Sequence, residues 1–299
     1  MKVFLTKPIG TERLSGQAKE LLFELEGIGY IAGGYARQVF DPDHSPKATD
    51  IDIFLYKDND FAYNPVDTDI FELDAAVDNV LQELGYTMTR DLPNALEYKK
   101  CGLVEVGEQE YRSIVNKNLK ASIYHSDWDG STHYKLAPLA NYLPVQVIKP
   151  FTNKGLVDNK ETILMKTYGQ PDELMQLFDF DVAMVALEAK TYDPQGFVAG
   201  NALKISASRV VATYADTFLE SNAAHKLHIN HINCPVAVLL RVLKFYNKGY
   251  FISTKDLIKL FKDWQSRPES YRNRLIELCE KEELDSRQWF ELEELLRID

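Results

Sequence analysis

Gly33-Gly34-Tyr35-Ala36-Arg37 and Thr49-Asp50-Ile51-Asp52-Ile53-Phe54 are the two stretches on which the fold turns. The first follows the short apolar run Tyr30-Ile31-Ala32 and reads as a strand ending in a glycine turn that opens a helix. With no side chain in the way, such a turn can present backbone N–H groups to an anion. The second alternates acidic and apolar residues and then becomes wholly apolar up to Tyr56, the pattern of a central strand. Positions i and i+2 of a strand share a face, so Asp50 and Asp52 converge. Acids on an otherwise buried element are costly unless they meet a cation. One element suits phosphates, and the other suits a hard divalent metal.

Outward from this centre, residues 11–26 place Leu14, Ala18, Leu21, Leu22 and Leu25 on one helical face, with Gly27 and Gly29 ending the pattern. Residues 58–68 are polar, with Asn64-Pro65 as a breaker, and Ile70 to Leu84 then repeat apolar side chains at helical spacing up to Gly85. Stretches 95–99, 119–124 and Leu143 to Ile148 read as strands of an antiparallel extension. Pro171 to Phe178 predicts a short helix with Pro in its first turn, and Asp179 to Val185 a further strand. After about residue 200 the pattern predicts helices at 205–220, 235–247, 254–265, 268–282 and 286–297. The expected fold class is α+β: a mixed or antiparallel sheet with flanking helices over residues 1–200, then an all-helical part over residues 201–299 that closes a cleft.

With 299 residues, 45% of them hydrophobic, the chain can bury a sizeable core. It has no apolar run near the roughly 18 residues that a membrane span needs, and Met1-Lys2-Val3-Phe4-Leu5 is too short for the apolar region of a signal peptide. A cytoplasmic protein with no membrane partner is expected. Cys101, Cys234 and Cys279 lack CxxC spacing, which fits reduced thiols. A net charge of -11 disfavours an extended nucleic-acid partner, since such binding needs clustered cations, and the densest candidate cluster is Arg241-Val242-Leu243-Lys244 with Lys248. His225, His228, His231 and Cys234 are residue types that bind zinc, but three-residue steps turn about 300° on a helix and scatter the ligands. The segment is expected to be an irregular connection before Pro235.

On Gly33-Gly34-Tyr35-Ala36-Arg37 and Asp50-Ile51-Asp52 the chain resembles the DNA polymerase beta-like nucleotidyltransferase superfamily. The Gly-Gly-x-x-Arg form looks like the version in its CCA-adding and poly(A) polymerase branch. Val145-Gln146-Val147-Ile148, Phe178-Asp179-Phe180-Asp181 and Arg241 to Tyr250 look similar to nucleotidyltransferase-like proteins of phages and large viruses. The latter would place the chain in a host cytoplasm. The resemblance spans about residues 20 to 255 but is specific only at these islands. It implies that Asp50 and Asp52 bind Mg²⁺ or Mn²⁺, and that a nucleoside monophosphate passes from an NTP, such as ATP, to an acceptor with release of pyrophosphate. Gly33, Gly34, Tyr35, Arg37, Lys149, Arg241 and Lys244 are then the candidate nucleotide contacts.

The superfamily's third acid is expected on the Val145 to Ile148 strand, where Gln146 cannot act as a charged ligand or base. Asp179 and Asp181 offer a replacement on one face of the following strand; both are candidate metal ligands and Asp181 is the preferred catalytic one. The competing reading is that this run caps the preceding helix or pairs with Lys149. Arg37 fits either a phosphate contact or a salt bridge. Arg241, Lys244 and Lys248 fall at i, i+3 and i+7, a basic stripe that could face a nucleotide or solvent. The acceptor is open between a small molecule, tRNA and protein. Two further readings stand beside transfer to an unknown acceptor: an inactive nucleotide-binding or interaction protein, and a toxin or defence nucleotidyltransferase acting on tRNA or protein.

Overall fold

The computed structural model describes residues 2–56, 75–92, 94–107, 123–125, 133–150, 152–157, 160–192 and 207–281, with isolated positions at 109–110, 112 and 288. The polar stretch 58–68 and the boundary at 200 lie outside the described residues, as do all but Gln288 of the helix expected at 286–297 and most of the strand expected at 119–124. In chain order the elements are β1 (Phe4–Ile9), α1 (Gly16–Glu24), β2 (Gly29–Ala32), α2 (Gly34–Phe40), β3 (Ile51–Leu55) and α3 (Ala75–Glu83). There follow β4 (Tyr86–Asp91), β5 (Ala95–Val106), β6 (Ile123–His125), β7 (His133–Pro138), β8 (Val145–Ile148), β9 (Thr152–Val157), β10 (Lys160–Lys166) and α4 (Pro171–Met175). The chain continues through β11 (Val185–Tyr192), β12 (Ala207–Ala215), α5 (Phe218–Ala223), β13 (Lys226–Leu227), α6 (Pro235–Tyr246), β14 (Phe251–Ile252), α7 (Thr254–Ser266) and α8 (Glu269–Cys279).

The fold is α+β, built on a mixed ten-stranded sheet in the order β1-β12-β11-β2-β3-β8-β5-β7-β6, with β4 also paired to β5. Its β3–β8 pair is parallel, and the other ladders of this sheet are antiparallel. Along β3 the side chains of Ile51, Ile53 and Leu55 are buried while Asp52 and Phe54 are half-buried, so the strand's period-two alternation separates an oily face from a polar one. The oily face joins Ile31, Val145, Val147 and Leu187 in one core with Ala18, Leu21, Leu22 and Leu25 of α1 and Val77 and Leu81 of α3. Ser15 caps α1 by accepting from the backbone N–H of Ala18.

Two expected elements are different in the structure. Residues 205–220, expected as a helix, contain strand β12 and then α5. β12 lies between β1 and β11 and hydrogen-bonds to both, with Val210 and Ala212 fully buried. Val210 and Val211 are β-branched and suit a pleated surface, and two neighbouring strands satisfy the backbone on both sides. The stretch expected as a strand at 179–185 is instead a bend at Asp179, an extended Phe180, a 3₁₀ turn over Asp181–Ala183, and only then β11.

A second core holds the helical part together: Leu227, Ile229, Val238, Val242, Tyr250 and Leu260 enclose Phe180 and Val182, which come from the segment leading into β11. A buried polar link runs beside it. Asn222, fully buried, donates to Asp41 Oδ2 at 2.8 Å and Ser45 Oγ at 3.0 Å, and its carbonyl oxygen accepts from the Tyr250 hydroxyl. No helix among the described residues is long and apolar enough to cross a membrane.

Tyr250→Phe keeps the ring and leaves the Asn222 carbonyl without this donor, which should cost about 1–3 kcal/mol. The expected result in thermal unfolding is a midpoint lower by a few degrees with native circular dichroism. An unchanged midpoint would show that the link does not help to hold the helical part in place.

Candidate functional site

β2 ends at Ala32, whose partner across the β2–β3 ladder is Asp52. The chain then turns at Gly33, with φ of +74°, and enters α2. A Cβ on residue 33 would stand 3.0 Å from Asp52 Oδ2. Glycine is therefore required twice over, by the left-handed backbone and by the carboxylate beside it. On its other side Asp52 pairs in register with Gln146 of β8, and Gln146 in turn with Glu97 of β5. Asp50 sits one residue before β3, two positions from Asp52.

These residues border a cavity of about 370 Å³, whose wall includes Gly33, Gly34, Arg37, Asp50, Asp52, Gln146, Asp179, Arg241, Lys244 and Lys248. The glycine turn, both acids and the basic stripe thus come together around one space. The volume falls in the range of about 300–1,000 Å³ typical of small-molecule sites. Phe54, Phe178, Phe180 and Phe245 add aromatic surface, and Asn94, Lys166 and Thr167 add polar groups. None of these seven was named as a site residue from sequence, although Phe54, Phe178, Phe180 and Phe245 lie within the quoted stretches. Lone Phe, Asn, Lys and Thr residues scattered over the chain carry no spacing signal, and only tertiary convergence reveals them.

Burial pushes the Asp52 carboxyl up to about 7, with the charge of Asp50 as a second cause; Lys244 and Lys248 pull in the opposite sense. Lys248 is held below its ordinary value by burial and then by Arg37 and Lys244, against the attraction of Asp50 and Asp52. Two carboxylates that border one cavity, one of them raised in proton affinity by burial and by its neighbour, are a donor set that suits a divalent cation. Among the described residues, no group of three His, Cys, Asp or Glu side chains is placed to hold a metal. Asp50 and Asp52 would supply two carboxylates to an ion that commonly completes its shell with water and phosphate oxygens.

Other candidates separate. Asp179 borders the cavity, buried and paired with Arg241 Nε; burial raises its carboxyl's proton affinity and Arg241 opposes this. Asp181 does not share its face, because the 3₁₀ turn replaces the expected strand. It points instead to Ser221, whose hydroxyl donates to Oδ2 at 2.6 Å, and to the backbone N–H of His228 at 3.3 Å, with Lys2 Nζ at 3.8 Å. That placement is a structural anchor away from the cavity wall. Tyr35 is buried, with its hydroxyl 2.8 Å from Ser15 Oγ, so it braces the start of α1 and does not border the cavity. Lys149 likewise lies off that wall, where it pairs with Asp91 and donates to the Leu92 carbonyl at 2.6 Å. In the His-rich connection, His225 takes a positive φ of 51°, His228 Nδ1 lies 3.3 Å from Asp256, and Cys234 Sγ lies 3.2 Å from the Tyr271 hydroxyl.

No family model and no curated protein matches the sequence. Among solved structures the chain is similar to the Thermotoga maritima CCA-adding enzyme complexed with tRNA_CCA, at 13% identity over 99% of this chain and 55% of that one, with a TM-score of 0.39. It is also similar to a CCA-adding enzyme in complex with CTP, at 12% identity over 99% and 56% of the two chains with a TM-score of 0.41. A CCA-adding enzyme in apo form I gives 11% identity, 98% and 54% coverage and a TM-score of 0.43. The chain spans about half the length of these structures.

Asp52 has a folded-state pKa above the ordinary carboxylate value, so the folded chain holds an extra proton between about pH 4 and 7 and loses stability as pH rises through that window. In metal-free protein Asp52→Asn should raise the thermal midpoint by a few degrees at pH 8, with the gain fading towards pH 4. A gain of equal size at both pH values would remove this account. By contrast, Asp181→Ala should destabilise by about 2–4 kcal/mol, since it strips a buried acceptor from Ser221 and His228. Denaturant unfolding will show whether that loss occurs.

Proposed function

We propose that this protein is a metal-dependent nucleotidyltransferase that moves a nucleoside monophosphate from an NTP to an acceptor with release of pyrophosphate. The observation that carries this reading is the placement of the Gly33 turn so close to the Asp52 carboxylate that a Cβ would crowd it, at the edge of a cavity whose wall also holds Asp50 and a basic stripe. Mg²⁺ or Mn²⁺ held by Asp50 and Asp52 would neutralise phosphate oxygens and polarise the reacting phosphorus.

The chain's own groups do the rest. The backbone at Gly33-Gly34 lies against the phosphates, where no side chain blocks approach. Lys244 and Lys248 offset phosphate charge from the far end of α6 and the turn after it. Phe54, Phe178, Phe180 and Phe245 give flat apolar faces on which a base can stack. Residues 218–281 form the side of the cleft that closes over the nucleotide and selects the acceptor. With a net charge of -11 the acceptor is better sought among small molecules and protein side chains than in long RNA.

A second reading has its own observation. Gln146 stands next to Asp52 across the β3–β8 ladder, where a carboxylate would strengthen metal binding, so the chain could hold a nucleotide without transferring it. Incubation with each labelled NTP, Mg²⁺ or Mn²⁺ and a cell extract separates the two. Transfer by the wild type, reduced at least about 100-fold in Asp52→Asn, is the expected outcome. Mg-dependent NTP binding with no transferred label would favour the binding protein, and full activity in Asp52→Asn would end the transferase reading.

A further inference from the structure

The cavity has two sides relative to β3. The β2–β3 ladder brings the Gly33 turn to one side of Asp52, and the β3–β8 ladder brings Gln146 to the other. Beyond Gln146 the same wall carries Asn94, Ile148, Lys166 and Thr167. These residues are tied together at the end of β8, where the Lys149 N–H donates to the Asn94 carbonyl at 2.9 Å and the Lys149 carbonyl accepts from the Thr167 hydroxyl at 2.6 Å. In an in-line displacement at phosphorus the entering and leaving oxygens stand on opposite sides. With pyrophosphate leaving beside the Gly33 turn, the acceptor enters from the β8 side.

A hydroxyl acceptor needs a group that takes its proton. The carboxylates of the wall are those of Asp50, Asp52 and Asp179, and among the described residues the wall includes no His, Cys, Tyr or Glu. Asp50 and Asp52 are assigned to the cation, and Asp179 is paired with Arg241. Glu97, next in the row after Gln146, is buried off the wall, where it accepts from the Thr89 hydroxyl at 3.0 Å and lies 3.4 Å from Lys99 Nζ. The β8 side therefore lacks a base. It offers instead the carboxamides of Asn94 and Gln146 and the ammonium of Lys166. Amide and ammonium N–H groups donate to an anionic oxygen, which a carboxylate at position 146 would repel.

We propose that the acceptor is the phosphate monoester of a small molecule, with its phosphate against Asn94, Gln146 and Lys166. The acceptor's identity rests on the transferase reading of the same cavity. A phosphate monoester is already largely dianionic at neutral pH, so no proton has to be removed from it. One of its oxygens forms a bond to the α-phosphorus of the NTP, the bond from that phosphorus to the oxygen bridging to the β-phosphorus breaks, and the electron pair leaves with pyrophosphate. The product joins the nucleoside monophosphate to the acceptor through a phosphoanhydride. Gln146 then suits an anionic nucleophile where a third acid would suit a hydroxyl.

The test uses a cell extract, with or without prior treatment by alkaline phosphatase that is then removed, incubated with the full-length protein, Mg²⁺ and each α-labelled NTP. Asp52→Asn protein serves as the blank. Label is expected in a dialysable product only where the phosphatase was omitted, and ³¹P NMR of that product should show the mutually coupled pair of resonances of a pyrophosphate bridge. Gln146→Glu, which places a carboxylate beside the entering oxygen, should raise the KM for the purified acceptor at least about tenfold without raising that for the NTP. Asn94→Asp, at a half-buried turn position, should act in the same direction and tests the subsite even if the Gln146 variant does not fold. Lys255→Gln alters net charge by the same amount on the exposed start of α7 and should match wild type. Label in macromolecules, an acceptor that survives the phosphatase, or a product with the single resonance of a phosphodiester would strike the anionic acceptor and keep the enzyme. An unchanged acceptor KM in both carboxylate variants would also overturn the subsite. No transfer above the blank would end the transferase reading, and this acceptor with it.

Discussion

Ala32 pairs with Asp52 across β2 and β3, and the cavity depends on that register. Side chains on a strand alternate, so a slip of one residue would drive Asp52 into the space held by Ile51 and Ile53, both fully buried, and bring an isoleucine out in its place. The cost of burying a carboxylate among aliphatic side chains makes the alternative register prohibitive. The same pairing brings the end of β2 level with the acid, which is why the turn that follows must lack a Cβ. Gln146 and Glu97 then extend the row across β8 and β5 on the same face of the sheet.

Charge around the cavity is arranged against the protein's own stability. Asp52 is raised by burial and by Asp50, while Lys248 is lowered by burial and by Arg37 and Lys244. Each group is held where its charged form is disfavoured, although opposite charges border the same space. A fold selected for stability alone would let these groups pair or would replace them with apolar residues. The Asp179–Arg241 pair shows the ordinary outcome at the edge of the same cavity.

The helical part is attached through a few residues of the α+β part. Phe180 and Val182 insert into its core, while Asp181 between them turns the other way to bind Ser221 and the His228 amide. The 3₁₀ turn makes this division possible by rotating successive side chains by about a third of a turn, where a strand would have put Asp179 and Asp181 on one face. The cavity wall therefore combines residues from both parts, and its shape depends on the docking of α6 beside the 178–183 segment.

Local pattern was enough to read much of this. The glycine turn leading into a helix, the central strand with its acids on the half-buried side, and the helices of the C-terminal part at 235–246, 254–266 and 269–279 all follow from periodicity, breakers and capping residues, which act over a few neighbours. Residues 207–215 were not legible, because an apolar β-branched run takes its state from its neighbours, and β1 and β11 lie far away in sequence. The roles of polar side chains were least legible: Tyr35, Lys149 and Asp181 look like ligands in a motif and serve as braces, and Arg37, which in the sequence fits either a phosphate contact or a salt bridge, packs against two rings on the cavity wall. By itself the sequence determined which residues could turn, alternate and coil, because those are short-range properties of the backbone and its nearest side chains. Only the tertiary structure decided which charged groups would meet, because a partner is found through space, and burial sets what each unpaired charge costs.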